Sequence, residues 1–260
     1  MSNEKYFKEV TKHYLALESI VDKEQASYLK ATMYKTSYNL HKLDIKIHRS
    51  LLKDTFSFSD LEPSKQKEIW DYVFKNTEYL DIGSLAIDYF KQFQKVKSHS
   101  MKPYWPLLKS WAKYIENWVH GDMLCSLYKD ILSEDLDLVY PQLEKWSKNK
   151  SPWLNRIAIT SCIYHFNSKR KIPTFNKCKK LFHPHIDNDH YYLQKSIGWC
   201  LREISRAYPD DFKAYMDKFV EKLSPVAYST SVEKVSKAQR VIYSKRRKEN
   251  RKLNNSLNKG

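Results

Sequence analysis

Three cations and one large aromatic residue recur at helical spacing near position 200. Within Tyr191–Arg206, residues Lys195, Trp199, Arg202 and Arg206 are three or four positions apart, so a helix places them on one face. The opposite face is apolar and contains Leu193, Ile197, Cys200, Leu201 and Ile204. Lysine and arginine bind phosphate, and an exposed indole stacks on a base or sugar. The pattern suits a nucleic-acid surface, although a solvated basic face with a packed Trp has the same spacing.

One carboxylate is the candidate for charge chemistry. The helix predicted at 103–119 places Ala112 and Glu116 one turn apart, on the flank of a stripe formed by Leu108, Trp111, Ile115 and Trp118. A carboxylate beside an apolar stripe can stabilise a developing cation or hold a water molecule. An ordinary rim glutamate paired with Lys113 or His120 is the alternative, and the residues taken alone favour it.

Arg156 is a further candidate for phosphate binding. It follows Ser151 and Pro152, which cap and open a helix predicted at 152–167. An Arg in the first turns of a helix can reach a phosphate oxygen. Stacking of Arg156 on Trp153 is an equally good interpretation.

The sequence predicts neither a metal nor an organic cofactor. The segment 183–190 contains His183, His185, Asp187, Asp189 and His190, but it has no known zinc spacing and is better explained as a loop that caps the next helix. The four cysteines are far apart and form no C-x-x-C pair, so buried thiols are expected. Glycine-rich phosphate loops and serine-hydrolase elbows are absent from the sequence.

The net charge of +16 indicates a polyanionic partner. It arises from 46 Lys and Arg against 30 Asp and Glu. Residues 233–260 contribute +8, and the other 232 residues contribute the same amount, so the body is basic without its tail. We expect binding that weakens steeply with salt.

Helical periodicity runs along almost the whole chain and predicts an all-α fold. Thirteen candidate helices, in pairs 35–45 residues apart, favour a HEAT-like solenoid with a concave basic groove, and a globular bundle is the alternative. We expect one domain at 1–230, followed at 231–260 by a terminal helix and a flexible basic tail. No apolar run is long enough for a membrane span, and the first residues lack a signal-peptide core, so a cytoplasmic, nucleoid-associated monomer is expected.

Three segments carry a family resemblance. LQKSIGWCLREISRAYPDDF, SPWLNRIAI and KSWAKYIENWVHGDML resemble the AlkD-type DNA alkylation repair proteins, and weaker similarity extends the match over most of residues 40–225. These are HEAT-like DNA glycosylases that release cationic bases such as 3-methyladenine and 7-methylguanine. The resemblance implies a double-stranded DNA partner. It also implies that Trp199 packs on the DNA backbone at the lesion and that Arg156 and Arg202 bind nearby phosphates.

The chain departs from the family at the catalytic positions. In the family, a Trp and an Asp four residues apart cradle the damaged nucleotide and stabilise the cationic sugar. These positions match Ala112 and Glu116, so the resemblance implies that Ala112 contacts DNA and that Glu116 is the catalytic carboxylate. Trp111 lies one residue away, which on a helix is a rotation of about 100° into the apolar stripe. Glu116 keeps the charge one methylene farther out, and roughly 1 Å of misplacement can cost about 100-fold in rate. A glycosylase for alkylated purines, a noncatalytic protein for damaged or branched DNA, and a protein-interaction adaptor are therefore the three hypotheses.

Overall fold

The described part of the chain is built from helices and connecting turns. The computed structural model describes residues 3–17, 23–41, 44–53, 56–94, 99–163 and 173–257. Within these ranges the only bridge between extended segments joins Asn39 and Tyr79, so the all-α prediction is confirmed. The sequence predicts helices at 3–20, 78–97 and 152–167, and the last residues of these three predictions lie outside the described residues, as do the last three residues of the tail. None of the described helices is long and apolar enough to cross a membrane.

The chain divides into two compact units, Met1–Glu134 and Asp135–Gly260. The first unit contains α1 (Asn3–Leu15), α2 (Lys23–Leu29), α3 (Ile45–Ser50), α4 (Pro63–Asn76), α5 (Leu80–Gln94), α6 (Trp105–Trp111) and α7 (Trp118–Glu134). The second contains α8 (Leu136–Ser147), α9 (Pro152–Ser161), α10 (Phe175–Phe182), α11 (Tyr191–Ala207), α12 (Pro209–Phe219), α13 (Pro225–Ser231) and α14 (Lys237–Leu257). The boundary expected at residue 230 falls at the end of α13.

Aromatic packing organises the core of the first unit. The ring of Trp111 stacks on Phe74 with centroids 4.1 Å apart, and its Nε1 donates to Asp71 at 2.6 Å. Both rings are fully buried, so α4 and α6 are held together by apolar area and by a satisfied indole N–H. The prediction that Trp111 faces the core is confirmed.

The single helix predicted at 103–119 is wrong. Helix α6 ends at Trp111, a 3-10 turn covers Ala112–Tyr114, and α7 begins at Trp118. Asn117 provides the physical reason, because its Oδ1 accepts the backbone N–H of His120 at 2.9 Å and so caps a new helix. Ala112 and Glu116 therefore do not share a helix face.

In the second unit α11 is the central helix and packs against α9, α12 and α13. Gly198 permits the closest of these approaches, because a Cβ there would lie 2.5 Å from the Ala227 carbonyl oxygen and 2.7 Å from Thr230 Cβ. Any side chain at position 198 would force α13 away from α11.

The terminal helix extends through most of the segment that we expected to be a flexible tail. Helix α14 continues to Leu257 and includes the basic run from Lys245 to Lys248. Two arginines explain its order: Arg247 donates to the carbonyls of Val220 and Leu223 at 2.5 and 2.6 Å, and Arg246 pairs with Glu221 at 2.6 Å. A basic composition with few apolar residues predicts disorder, but these contacts are long-range and are not visible in the local sequence.

Candidate nucleic-acid interface

Helix α11 presents the cationic and apolar faces that its spacing predicts. His190 caps its first turn, where Nδ1 lies 3.3 Å from the Leu193 backbone N–H. Leu193, Ile197, Cys200, Leu201 and Ile204 are all buried. On the other side Lys195 and Arg206 are exposed, and Trp199 is half-buried between them. An indole one turn from Lys195 and two turns from Arg206 lies on the same face as both cations, where it can meet a sugar–phosphate backbone.

Arg202 lies on the same stripe but is already paired with acids. Its Nε is 3.2 Å from Glu203 Oε1, and its Nη1 is 2.5 Å from Glu233 Oε2. The guanidinium also lies 6.0 Å from the centre of the Trp199 ring, which is at the outer limit of a cation–π contact. Glu203 is also 3.6 Å from Arg206. The two carboxylates therefore offset much of the positive charge of Arg202, whereas Arg206 has only the longer contact with Glu203.

Arg156 is buried, with a relative exposure of 3%. Its Nη1 donates to the Tyr192 carbonyl at 2.6 Å, so it ties α9 to the first turn of α11. With so little exposed surface, Arg156 is not presented to a phosphate outside the protein, which corrects the expectation drawn from the sequence. It positions the helix that carries Lys195 and Trp199.

Sequence reasoning missed an aromatic extension of the stripe. Tyr192 precedes Lys195 by one turn, and its ring stacks on Trp153 with centroids 5.5 Å apart and an interplanar angle of 27°. His190 meets the Trp153 ring edge-on at 5.3 Å. The three-residue spacing between Tyr192 and Lys195 could have revealed the extension, because it continues the same helical face.

The Glu116 carboxylate accepts hydrogen bonds from the segment that follows α2. Its Oε1 accepts the Thr36 hydroxyl, and its Oε1 and Oε2 lie 3.0 and 3.1 Å from the Ser37 backbone nitrogen. The adjacent Lys35 has a left-handed backbone with φ of 48°, which turns the chain toward the carboxylate. The partners expected from the sequence, Lys113 and His120, are not the ones that the structure shows hydrogen-bonded to Glu116.

These contacts keep Glu116 ionised. Burial raises the pKa of its carboxyl group, but the hydrogen bonds from Thr36 and Ser37 outweigh burial and hold the pKa below its usual value. An ionised carboxylate cannot act as a general acid at neutral pH. It can still stabilise a nearby positive charge, with its strength reduced by the donors that it already accepts.

Ala112 is buried in the 3-10 turn, with 1% of its surface exposed. It does not reach the surface, so it cannot contact DNA as the family alignment implied. Its neighbour Trp111 stacks on Phe74 in the core.

The loop histidines form hydrogen bonds within the protein, and the cysteines are buried. His183 Nδ1 lies 3.0 Å from the Tyr215 hydroxyl, and His185 donates to the Ser147 carbonyl at 2.7 Å. Across the described ranges no group of three or more His, Cys, Asp or Glu residues is arranged to hold a metal ion. The four cysteines are buried, and Cys178 lies within hydrogen-bonding reach of Cys162 and Cys200, a proximity that their sequence spacing did not suggest.

The positive charge is concentrated in the second unit. Residues 135–260 hold 26 of the 46 basic residues and 12 of the 30 acidic residues, so they carry +14 of the net +16. The first unit, which contains Glu116, carries only +2. An electrostatic attraction for a polyanion therefore acts mainly on the half of the chain that contains α11.

Comparison with known proteins identifies the family. The model of the DNA alkylation repair enzyme family matches residues 14–235, so the chain belongs to that family. Its fold is similar to a structure described as a predicted DNA alkylation repair enzyme from Enterococcus faecalis, at 18% identity and a TM-score of 0.63, covering 85% of this chain and 100% of that one.

A second similar structure is AlkD2 from Streptococcus mutans, at 15% identity and a TM-score of 0.53, covering 82% of this chain and 99% of that one. A comparison with curated proteins finds no match. At these identities the similarity of the solved structures shows the fold, and the family rests on the family model.

Proposed function

We propose that this family member binds double-stranded DNA through the outward face of α11. Lys195 and Arg206 would contact phosphates, and Trp199 would pack against the sugar–phosphate backbone. The observation that supports this proposal is the half-buried indole between two exposed cations. Lys195 is exposed, so its charge is accessible to a ligand.

Such contacts position DNA without reading its sequence. Backbone contacts carry no base information, and each neutralised phosphate adds about 0.9 to the magnitude of the salt exponent of binding. Two cations on α11 should therefore account for a slope of about 2 in a plot of log affinity against log salt. Binding should depend on salt far more than on the sequence of the duplex.

A triple variant, Lys195→Gln, Trp199→Ala and Arg206→Gln, tests the proposal. Anisotropy with labelled linear, flapped and junction duplexes, over a salt series, should show a lower affinity and a slope reduced by about 2. A matched control removes two exposed lysines and an exposed aromatic in the first unit: Lys12→Gln, Lys46→Gln and Tyr28→Ala. Equal losses in the two variants, or wild-type binding that does not respond to salt, would contradict the proposal.

Excision of a cationic alkylated purine is the second candidate function, and the ionised state of Glu116 favours it. An alkylated purine is already a cationic leaving group, so the protein would mainly stabilise the positive charge that develops on the sugar. The candidate ranks second because Thr36 and Ser37 already donate to the carboxylate, and because Ala112 supplies no stacking wall.

Base release from methylated duplex DNA decides between the two functions. If excision depends on Glu116, the wild type should release free methylated base, and the rate of release should be at least 100-fold lower in Glu116→Gln. Equal rates in the two proteins would remove Glu116 from the mechanism. Absence of release above background, with DNA binding intact, would leave binding as the function.

A further inference from the structure

We propose that α14 is a second, separate surface for the sugar–phosphate backbone of DNA. The family match ends at residue 235, and α14 begins at Lys237, so the surface lies outside the region that defines the family. The choice of DNA as the ligand rests on the proposed function, but the helix, its residues and its test are independent of α11.

Helix α14 is anchored to the second unit by one face only. Tyr243 is fully buried. The Arg247 guanidinium lies 4.5 Å from the centre of the Tyr228 ring while it donates to the carbonyls of Val220 and Leu223. These contacts fix the rotation of the helix about its axis. The directions of the other described side chains on α14 follow from that rotation.

The opposite face carries a line of lysines. At about 100° per residue, the side away from Tyr243 and Arg247 contains Lys237, Val241, Lys245, Lys248 and Lys252, all of them exposed. The helix holds eight basic residues and one acid, Glu249. That carboxylate lies 3.9 Å from Lys245, a contact between exposed side chains that is worth little. The four lysines therefore present nearly their full charge to solvent.

The dimensions and residue types suit a nucleic-acid backbone. Lys237 and Lys252 are 15 positions apart, which on a helix is about 22 Å and spans several phosphates of a duplex. Lysine is a compact, flexible point charge without the planar fork of arginine, so it binds phosphate without selecting a base. The surface would increase affinity for any DNA that α11 engages.

A lipid surface fits this helix less well. A helix at a membrane interface inserts an apolar face opposite its charges, but on α14 that face is covered by Tyr228 and the segment near Val220. Val241 is the only apolar residue within the lysine line. Ile242 and Leu253 are exposed on one flank, and two residues are too few for insertion. The exposed lysines therefore favour a polyanion in aqueous solution over a membrane surface.

The test replaces Lys237, Lys245, Lys248 and Lys252 with Gln in the full chain. The matched control removes the same charge from exposed lysines of the first unit, with Lys5, Lys12, Lys46 and Lys113 replaced by Gln. Circular dichroism checks that both variants keep their helix content. For the α14 variant we expect a salt exponent lower by about 3 to 4, and an affinity at least tenfold lower at about 0.1 M salt. The control should change both values far less.

The outcomes separate this inference from the proposed function. If the α11 triple variant loses affinity while the α14 variant matches its control, the proposed function stands and the inference is overturned. If the α14 variant loses affinity while the α11 variant does not, the inference stands and the proposed function fails. Vesicles containing anionic lipid are the third probe, and lysine-dependent binding to vesicles without binding to DNA would overturn the inference.

Discussion

Arg202 donates to Glu233, with 2.5 Å between Nη1 and Oε2. Glu233 follows α13, so the ion pair joins the end of that helix to the cationic stripe of α11. A side chain with the right charge and spacing for phosphate is thereby committed to an acid within the protein. Binding of phosphate by Arg202 requires that this pair be broken or displaced, which costs part of the binding free energy.

Glu233→Gln should therefore strengthen DNA binding. The change frees the outer part of the Arg202 guanidinium, and we expect tighter binding with a salt exponent larger by about 1, because one more phosphate contact becomes available. Asp137→Asn removes the same charge from an exposed position in the same unit and is the control. Equal effects of the two changes would show that total charge, rather than release of Arg202, governs affinity.

Glu116→Gln should lower the stability of the fold. Loss of charge-assisted hydrogen bonds from Thr36 and Ser37 should cost about 1–3 kcal/mol at pH 7, measured by urea unfolding. The lowered pKa of Glu116 in the folded protein means that this stability is present above about pH 4.5 and is lost as the pH falls further. The difference in unfolding free energy between the wild type and Glu116→Gln should therefore be smaller in acid.

A double-mutant cycle with Thr36→Val isolates the contact. If the Thr36 hydroxyl and the Glu116 carboxylate interact as the structure shows, Glu116→Gln should cost less in the Thr36→Val background. Strict additivity of the two changes would contradict a direct contact. The cycle needs no DNA, so its result is independent of whether Glu116 takes part in excision.

Local periodicity was sufficient for α11 but not for the segment around Glu116. Both faces of α11 could be predicted because Lys195, Trp199 and Arg206 obey one uninterrupted period. The segment from Trp105 to Glu134 contains two helices whose apolar patterns continue into one another, and only Asn117, a capping residue, marks the break. Burial of Arg156, and pairing of Arg202 with Glu233, depend on contacts 30 or more residues away. Residue spacing alone carries no information about them.

Restoring the family's tryptophan at position 112 should damage the fold rather than restore activity. Ala112 has 1% exposure, so an indole there must displace Trp111 or its neighbours. Overpacking of a filled core costs about 1–3 kcal/mol or more. Thermal unfolding of Ala112→Trp should show a lower midpoint and base release should not rise. A stable variant with increased release would contradict the packing seen at this turn.

Gly198→Ala and Gly121→Ala form a matched pair of helix substitutions. A Cβ at position 198 would lie 2.5 Å from the Ala227 carbonyl oxygen, whereas one at position 121 meets only Ile115 Cγ2, at 3.4 Å. Ala is favoured over Gly within a helix by about 1 kcal/mol, so Gly121→Ala should be neutral or stabilising. Gly198→Ala should destabilise by roughly 1–3 kcal/mol because α13 must move. Similar unfolding free energies for the two variants would contradict the close approach of α11 and α13.

His120 should make the protein lose stability in weak acid. Burial lowers the pKa of its imidazole to about 4. The ring Nε2 donates to the Leu80 carbonyl at 2.7 Å. The ring fits there because residue 83 is Gly, since a Cβ at that position would lie 2.6 Å from the imidazole. In the unfolded chain the pKa returns to about 6.5, so the unfolded state takes up the proton first as the pH falls. Stability is complete above that value and declines by up to roughly 3 kcal/mol as the pH approaches 4.

His120→Gln provides the comparison for this pH dependence. Glutamine can still donate to the Leu80 carbonyl but does not titrate, so the variant should be less stable than the wild type at pH 7 and should lose less between pH 6.5 and 4.5. Urea unfolding at half-unit pH steps measures the difference. The window stops at pH 4.5 because Glu116 begins to lose its charge below it. Parallel stability curves for the two proteins would show that the His120 imidazole is not buried in its neutral form.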